Sequence, residues 1–395
     1  MNQELTTVPV INLTVADVEK ELLSEVSSYH ALYSPLFKRW EQREQSELYM
    51  NGLLSDIPNK SVESMVLHRE GDNPNAIRSG QQLLSQGAWT DGLILERHWQ
   101  EVDQLSGNVN GVLIVDGSDF PKQGMDSIGV KRQYCGDLGK KTNCQAGVYL
   151  GYGSSRGYTL LDRRLYLPEE WFEDQAYAVL RKQCGFPADI VFQTKPQLAG
   201  QMVKAIHGAV TLRFRWLTCD AAFGRDTAFL DSVGEVITYL AEVDFDTRVW
   251  LQRPAIEIPT GSGLGRSPTR YRLVKGEPTA QTVAEVGKVL ATSAWQRLTV
   301  KEGSKGPLVA DFVCPRVVAR RNGLPGLDLW LVCHRHPETH VIEYYLSNAP
   351  LHTSIETFAW LSGMRWPIKI CFEEGKQELG MGTIKSSLGL AGITT

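Results

Sequence analysis

Residues 111–120 read GVLIVDGSDF, and this stretch decides the fold class. The continuous apolar run at 112–115, bounded by Gly111 and Asp116, has the texture of a short strand buried on both faces. A second stretch, FRWLTCDAAFG at 214–224, has the same texture and also ends its apolar run in an acid, Asp220. Asp116 and Asp220 are 104 positions apart, so only the fold can bring them together. Paired carboxylates at strand ends suit Mg²⁺, a hard cation that prefers oxygen ligands. Two such ions, ~3.5–4 Å apart, activate an attacking oxygen and stabilise a leaving oxygen in phosphoryl transfer. An aspartate after a strand is also an ordinary turn starter or helix cap, so the pair says more than either acid alone. The segment VDGSD does not fit an aspartyl-phosphate phosphatase, because Asp116 and Asp119 are three positions apart and not two.

On the N-terminal side of this strand the chain reads as helical to about residue 105. In PLFKRWEQREQSELYMNGLLSDIP (35–58), Phe37, Trp40, Leu48, Tyr49 and Leu53 recur near helical spacing among charges. Asp56-Ile57-Pro58 ends that helix, since proline and its predecessor both disfavour continuation. Further helices are expected near 61–69, 77–84 and 91–105, an all-α unit suited to a bundle. On the C-terminal side, CQAGVYLGYGSSRGYTLLDRRLYLP (144–168) reads as a hairpin turning at 153–157. Residues 195–207 and 227–233 read as helices, and VITYLAEVDFDTRVWLQRP (236–254) returns to strand texture. From about 252 to 325 the chain reads as loop-rich, with Pro254, Pro259, Pro268, Pro278 and Pro307 and the run GSGLG at 261–265. A strand pair is expected in LDLWLVCHRHPETHVIEYYLSN (327–348), followed by one amphipathic helix over 354–379, kinked at Pro367.

This order implies an α/β protein with a mixed sheet. The expected domains are a helical N-terminal domain (1–105), the first part of a core (106–251), a β-rich basic insertion (252–345), and a closing helix with a tail (346–395). The 395 residues are 42% hydrophobic and 22% charged, which excludes disordered, collagenous and coiled-coil chains. No stretch reaches the ~18 apolar residues of a membrane span, and the N-terminus lacks a secretory leader. Seven scattered cysteines without a C-x-x-C read as a reduced, cytoplasmic protein. Cys333, His334, His336 and His340 are too close in sequence for an ordinary tetrahedral metal site and read as a strand end and a hydrated turn. GSGLGR lacks the last glycine of a dinucleotide fingerprint, and there is no P-loop, G-x-S-x-G elbow or H-E-x-x-H.

The net charge of −4 argues against a nucleic-acid partner only as an average. Residues 246–335 hold 14 Lys and Arg against 7 Asp and Glu, a balance of +7, while the remainder holds 27 against 38, a balance of −11. Arg266, Arg270, Arg272 and Lys275 cluster in the Pro/Gly-rich loop, and Arg316, Arg320 and Arg321 form a second group. Such clusters can bind backbone phosphates by counterion release. Trp250, Trp295 and Trp330 lie in the same stretch. Burial is the more ordinary fate of each, and an exposed one can stack on an unpaired base.

VDGSDFPKQG (115–124), LTCDAAFG (217–224) and MRWPIKICFEEGKQELGM (364–381) together resemble bacterial insertion-sequence transposases of the DDE type, in the branch of DDE superfamily endonucleases. RWEQREQSELYMNGLLSD (39–56) and QQLLSQGAWTDG (81–92) resemble that branch's helical leader, and LSNAP (346–350) matches ahead of the last helix. The resemblance runs to about residue 381. It implies an RNase H-like core and a triad of two aspartates and a glutamate holding two Mg²⁺ or Mn²⁺ ions. The implied activity is cleavage of double-stranded DNA at transposon inverted repeats and strand transfer into a target, carried out by a homodimer in a synaptic complex. Asp116 and Asp220 take the places of the two aspartates. Lys122 falls in the Phe-Pro-Lys that follows the first, and Arg365 and Lys376 take places that contact DNA phosphates.

The third acid is where the chain departs. The family pattern is Arg-Trp-x-Ile-Glu with a Phe following and a Lys seven residues after the Glu. Arg365, Trp366, Ile368, Phe372 and Lys376 match it, and Lys369 stands where the glutamate belongs. An ammonium donates hydrogen bonds only and cannot coordinate a cation. Glu373, one helical turn on and about 6 Å along the axis, is a candidate substitute if the helix shifts. The tail GTIKSSLGLAGITT (382–395) lacks the Arg/Trp/His-rich continuation of the family, which is the expectation for a gene copy whose frame changed near 382. The expected function is therefore a DDE transposase impaired at its third acid. The alternative is a catalytically inactive relative that occupies transposon ends or joins mixed oligomers.

Overall fold

The computed structural model describes residues 15–381, apart from 126, 184, 185, 187, 188, 261–267, 304 and 305. Two compact units divide the chain, one built on residues up to Arg97 and the other on His98–Lys376. Among the described residues no helix is long and apolar enough to cross a membrane.

The first unit carries α1 (Val15–Tyr33), α2 (Trp40–Leu54), α3 (Val62–Glu70), α4 (Pro74–Gln86) and the start of α5 (Asp91–Ser106). Leu48, Met65, Val66 and Ala76 form its buried centre, with Tyr49, Leu53 and Ile57 against them. The helix ends follow local chemistry. The Ser61 and Asn73 side chains cap α3 and α4, and Pro74 occupies the first position of α4, where its missing N–H costs nothing. The C-terminus of α2 is closed by Lys60, whose buried ammonium donates to the carbonyls of Gly52 (3.4 Å), Leu53 (2.9 Å) and Ser55. A cation at orphan helix carbonyls satisfies both the acceptors and the helix dipole. Replacing Lys60 by methionine should cost about 2 kcal/mol, the worth of charged hydrogen bonds in a buried place. Amide exchange in α2 reads this directly, and unchanged protection of its last turn would refute it.

The second unit is built on a sheet of thirteen strands among the described residues. Its N-terminal half comprises β1 (Val112–Pro121), β2 (Lys131–Cys135), β3 (Lys140–Ser154), β4 (Gly157–Tyr166), α6 (Glu170–Glu173), α7 (Ala178–Gln183), α8 (Lys195–Ala209), β5 (Trp216–Cys219), α9 (Ala221–Gly224), α10 (Thr227–Gly234), β6 (Thr238–Val243) and β7 (Arg248–Trp250). Then come β8 (Ile256–Glu257), β9 (Arg272–Leu273), β10 (Gln281–Thr282), α11 (Val283–Val289), β11 (Gln296–Gly303), β12 (Gly306–Val313), β13 (Arg316–Arg321), β14 (Leu324–Arg335), β15 (Ile342–Ser347), α12 (Ile355–Gly363) and α13 (Trp366–Gln377). Along the sheet the order is β10-β7-β13-β14-β15-β6-β5-β1-β3-β2, with β4 on β3 and the β11–β12 hairpin on β14, while β8 and β9 pair separately. β5 lies parallel to both β1 and β6, and the other pairings are antiparallel. The mixed α/β architecture is that of an RNase H-like DDE fold, the class the sequence implied.

The structure differs from the sequence reading in two places. Residues 252–325 are not simply loop: they hold α11 and the β11–β12 hairpin. Prolines punctuate this stretch, but a Thr282/Glu285 capping box starts α11, and its Val283 and Val286 bury against Leu329 and Leu331. The closing helix is two helices. α12 ends at Gly363, and Pro367 sits in the first turn of α13, a position proline tolerates, so it begins a helix and does not kink one.

Candidate active site

β1, β5 and β6 meet in register at the end where their apolar runs stop. Val115 pairs with Cys219, and Cys219 pairs with Ala241. The next residue of each strand is Asp116, Asp220 and Glu242, so the three acids continue one row, and row neighbours share a face of the sheet. Asp116 is buried and accepts a hydrogen bond on Oδ1 from the Gly117 amide at 2.7 Å. Asp220 caps α9, accepting on Oδ1 from the amides of Ala222 (3.0 Å) and Phe223 (3.3 Å). Beneath Asp220, two residues back on the same face, the hydroxyl of Thr218 is wholly buried and has no hydrogen-bond partner. Asp119 points the other way and accepts from the Gly136 amide at 2.8 Å, which separates it from the pair.

Helix α13 lies over this face because β3 leaves room for it. A side chain at Gly151 would lie 3.1 Å from Ile368, and one at Gly153 would lie 2.9 Å from Met364. Further along, Phe372 meets Tyr149 edge-on at 5.1 Å, and Tyr149 meets Phe120 at 6.3 Å. Gly151 and Tyr149 pair with Ile114 and Asp116, which fixes α13 on the Asp116 face. Arg365, just before α13, then reaches across to form an ion pair with Glu242. Lys369, one turn on, is an exposed residue. Lys376 pairs with Asp137 and stands 5.3 Å over the Phe120 ring.

The electrostatics agree with this geometry. Burial, followed by the negative charge of Asp220, pushes the Asp116 carboxyl up to about 6, against the pull of Arg365, the Gly117 amide and Lys369. Glu343, two residues from Tyr345 on the same face of β15, is held below the usual carboxylate range chiefly by His334, 3.1 Å away, with help from the Tyr345 hydroxyl (2.8 Å) and Lys369. Lys369 therefore acts on Asp116 and on Glu343 at once.

Asp116 and Asp220 come together, with Arg365 and Lys369 beside them. Glu373 is exposed on α13, outside the acid row. Lys122 is half-buried, its ammonium held below the usual lysine range by burial, and its amide donates to Asn143 at 2.9 Å. Arg270 and Arg272 are remote from the acids in sequence and exposed, and Arg272 pairs with Glu257 at 3.1 Å. Arg266 and the 382–395 tail lie outside the described residues. Trp250 is buried and donates to the Pro278 carbonyl, and Trp330 donates to that of Ala349. Glu242 was missed by sequence reasoning. The available signal was the repetition of LIVD, LTCD and YLAE, three apolar runs each closed by an acid.

The residues suit one divalent cation better than two. Asp116 and Asp220 offer hard oxygen donors, and the unpartnered Thr218 hydroxyl can bond to a water of a hydrated ion. Lys369 offers an ammonium, which cannot coordinate a cation, and among the described residues no group of three His, Cys, Asp or Glu is placed to hold a metal.

A parallel-strand core closed by acids, with a helix laid across it, defines an RNase H-like nuclease scaffold. A family model described as DDE superfamily endonuclease matches residues 32–307, more than half of the chain, and the protein belongs to that family. No curated protein matches it.

Proposed function

We propose that this chain is a transposase polypeptide of an insertion sequence, built for metal-assisted cleavage of double-stranded DNA at transposon ends and for strand transfer, and impaired by Lys369. The observation that carries the reading is the convergence of Asp116, within β1, and Asp220, just past the end of the adjacent parallel strand β5. A divalent cation held by these two carboxylates would polarise the scissile phosphate and the attacking oxygen. Arg365 and Lys376 would exchange Glu242 and Asp137 for backbone phosphates when DNA arrives; Arg365 is now paired to the acid row and Lys376 stands over Phe120. Lys122 and the basic residues Arg266, Arg270 and Arg272 would add phosphate contacts that set the salt dependence of binding. A homodimer is the simplest assembly that holds two transposon ends.

A second reading, a DNA-binding relative without catalysis, is supported by the same lysine, because Arg365 and Lys369 already neutralise part of the acid row. One assay addresses both. Substrates carrying the element's ends are incubated with Mg²⁺ or Mn²⁺ and either the unmodified chain or its Lys369→Glu variant. The unmodified chain should give no nicking or joining, and Lys369→Glu should raise cleavage more than about 100-fold, since losing a ligand costs more than losing a residue that merely supports one. Clear cleavage by the unmodified chain, abolished by Asp116→Ala, would overturn the impairment. End binding without rescue would favour the second reading.

A further inference from the structure

The charges around the acid row give Lys369 a role beyond the loss of a ligand. Asp116, Asp220, Glu242 and Glu343 face this end of the sheet, Arg365 pairs with Glu242 from just before α13, and the charge of Lys369 in α13 acts on Asp116 and Glu343. Among these six groups, four carboxylates and two cations leave a balance of −2. The glutamate of the family pattern at 369 would make that balance −4. The difference is the charge of one divalent cation. We propose that the Lys369 ammonium stands in for one of two divalent cations, so that this chain binds a single ion, between Asp116 and Asp220. The inference rests on the proposed function for where the ion sits and goes beyond it in the number of ions and the part played by the lysine.

Three features of the structure support it. Packing of Ile368 on Gly151 and of Phe372 on Tyr149, with Arg365 paired to Glu242, fixes the backbone of α13 on both sides of Lys369. From that backbone the Lys369 charge acts on both Asp116 and Glu343 without any shift of the helix, and it would repel a second cation bound near them. The hydrogen bonds made to the two aspartates fall on Oδ1 in both, which leaves two Oδ2 atoms, enough for one ion completed by water. The buried, unpartnered Thr218 hydroxyl lies under Asp220, where a metal-bound water would satisfy it, and buried polar atoms ordinarily have a partner.

Counting ions tests this without reference to cleavage. Mn²⁺ is titrated into the full chain, and the free ion is followed by electron paramagnetic resonance. The unmodified chain should bind one Mn²⁺, Lys369→Glu should bind two, and Asp220→Asn should bind none at the same concentrations. Two ions on the unmodified chain, or none, overturns the proposal whether or not any variant folds. One ion on a folded Lys369→Glu overturns it as well. Binding to transposon-end DNA in EDTA is measured separately: its failure would sink the proposed function and leave the ion count standing.

Discussion

Asp116→Asn should stabilise the protein by about 3 kcal/mol near pH 8 and by nothing below about pH 4. In the unfolded chain Asp116 loses its proton near 3.8, whereas in the folded protein burial and Asp220 hold the proton until about pH 6. Between those values the unfolded state binds fewer protons, so stability falls as pH rises. Above about pH 6 the whole penalty is present, because both states are then ionised and only the folded one holds the charge at a cost. Asparagine keeps an oxygen for the Gly117 amide and carries no charge, so it escapes the penalty. In melting temperature the gain should be on the order of 5–10 °C near pH 8. Thermal melts of the two proteins across pH provide the check. A constant difference at all pH values, or a loss of stability in the variant near pH 8, would show that Asp116 is not a strained charge. The strain is what a cation site requires, since a bound divalent ion would remove it.

Gly224→Ala should cost more than about 3 kcal/mol, above the usual range for overpacking, because the obstacle is main chain and cannot rotate away. A Cβ at this position would stand 1.8 Å from the carbonyl oxygen of Glu242 and 3.0 Å from its carbon. The short helix that Asp220 caps can therefore lie against β6 only if its last residue has no side chain. Forcing the two apart would move Asp220 relative to the rest of the acid row, so ion binding should weaken along with stability. Gly208→Ala, on the exposed side of α8 with nothing within 4 Å, supplies the control and should gain up to about 1 kcal/mol. Equal effects from the two substitutions, by chemical denaturation, would remove Gly224 from this role.

Much of the site could be read from local pattern. The apolar runs 112–115 and 216–219 are short and end in acids, and a buried strand leaves few other ways to write such a run. The RWPIK segment identified Lys369 by its place among Arg365, Ile368 and Phe372. Glu242 was hidden because TYLAEV reads as an ordinary strand, and only its register against β5 turns that glutamate into a neighbour of Asp220. The partners of the cations were equally out of reach: Lys376 meets Asp137 across 239 positions and Arg365 meets Glu242 across 123. Helix α11 was masked by the prolines around it, whose effect is local, while the burial of Val283 and Val286 that holds it is not.

The sequence by itself determined the class of fold and singled out Asp116, Asp220 and Lys369 as the residues to look at, because each depends on residue type and spacing within a few positions. Only the tertiary structure decided which charges that lysine acts on. It acts on both Asp116 and Glu343 because β3 has glycines where α13 needs to approach and because β1, β5 and β6 align their acids in one row. Charge acts through space at distances of a few ångströms, and no spacing along the chain encodes which charges will be that close.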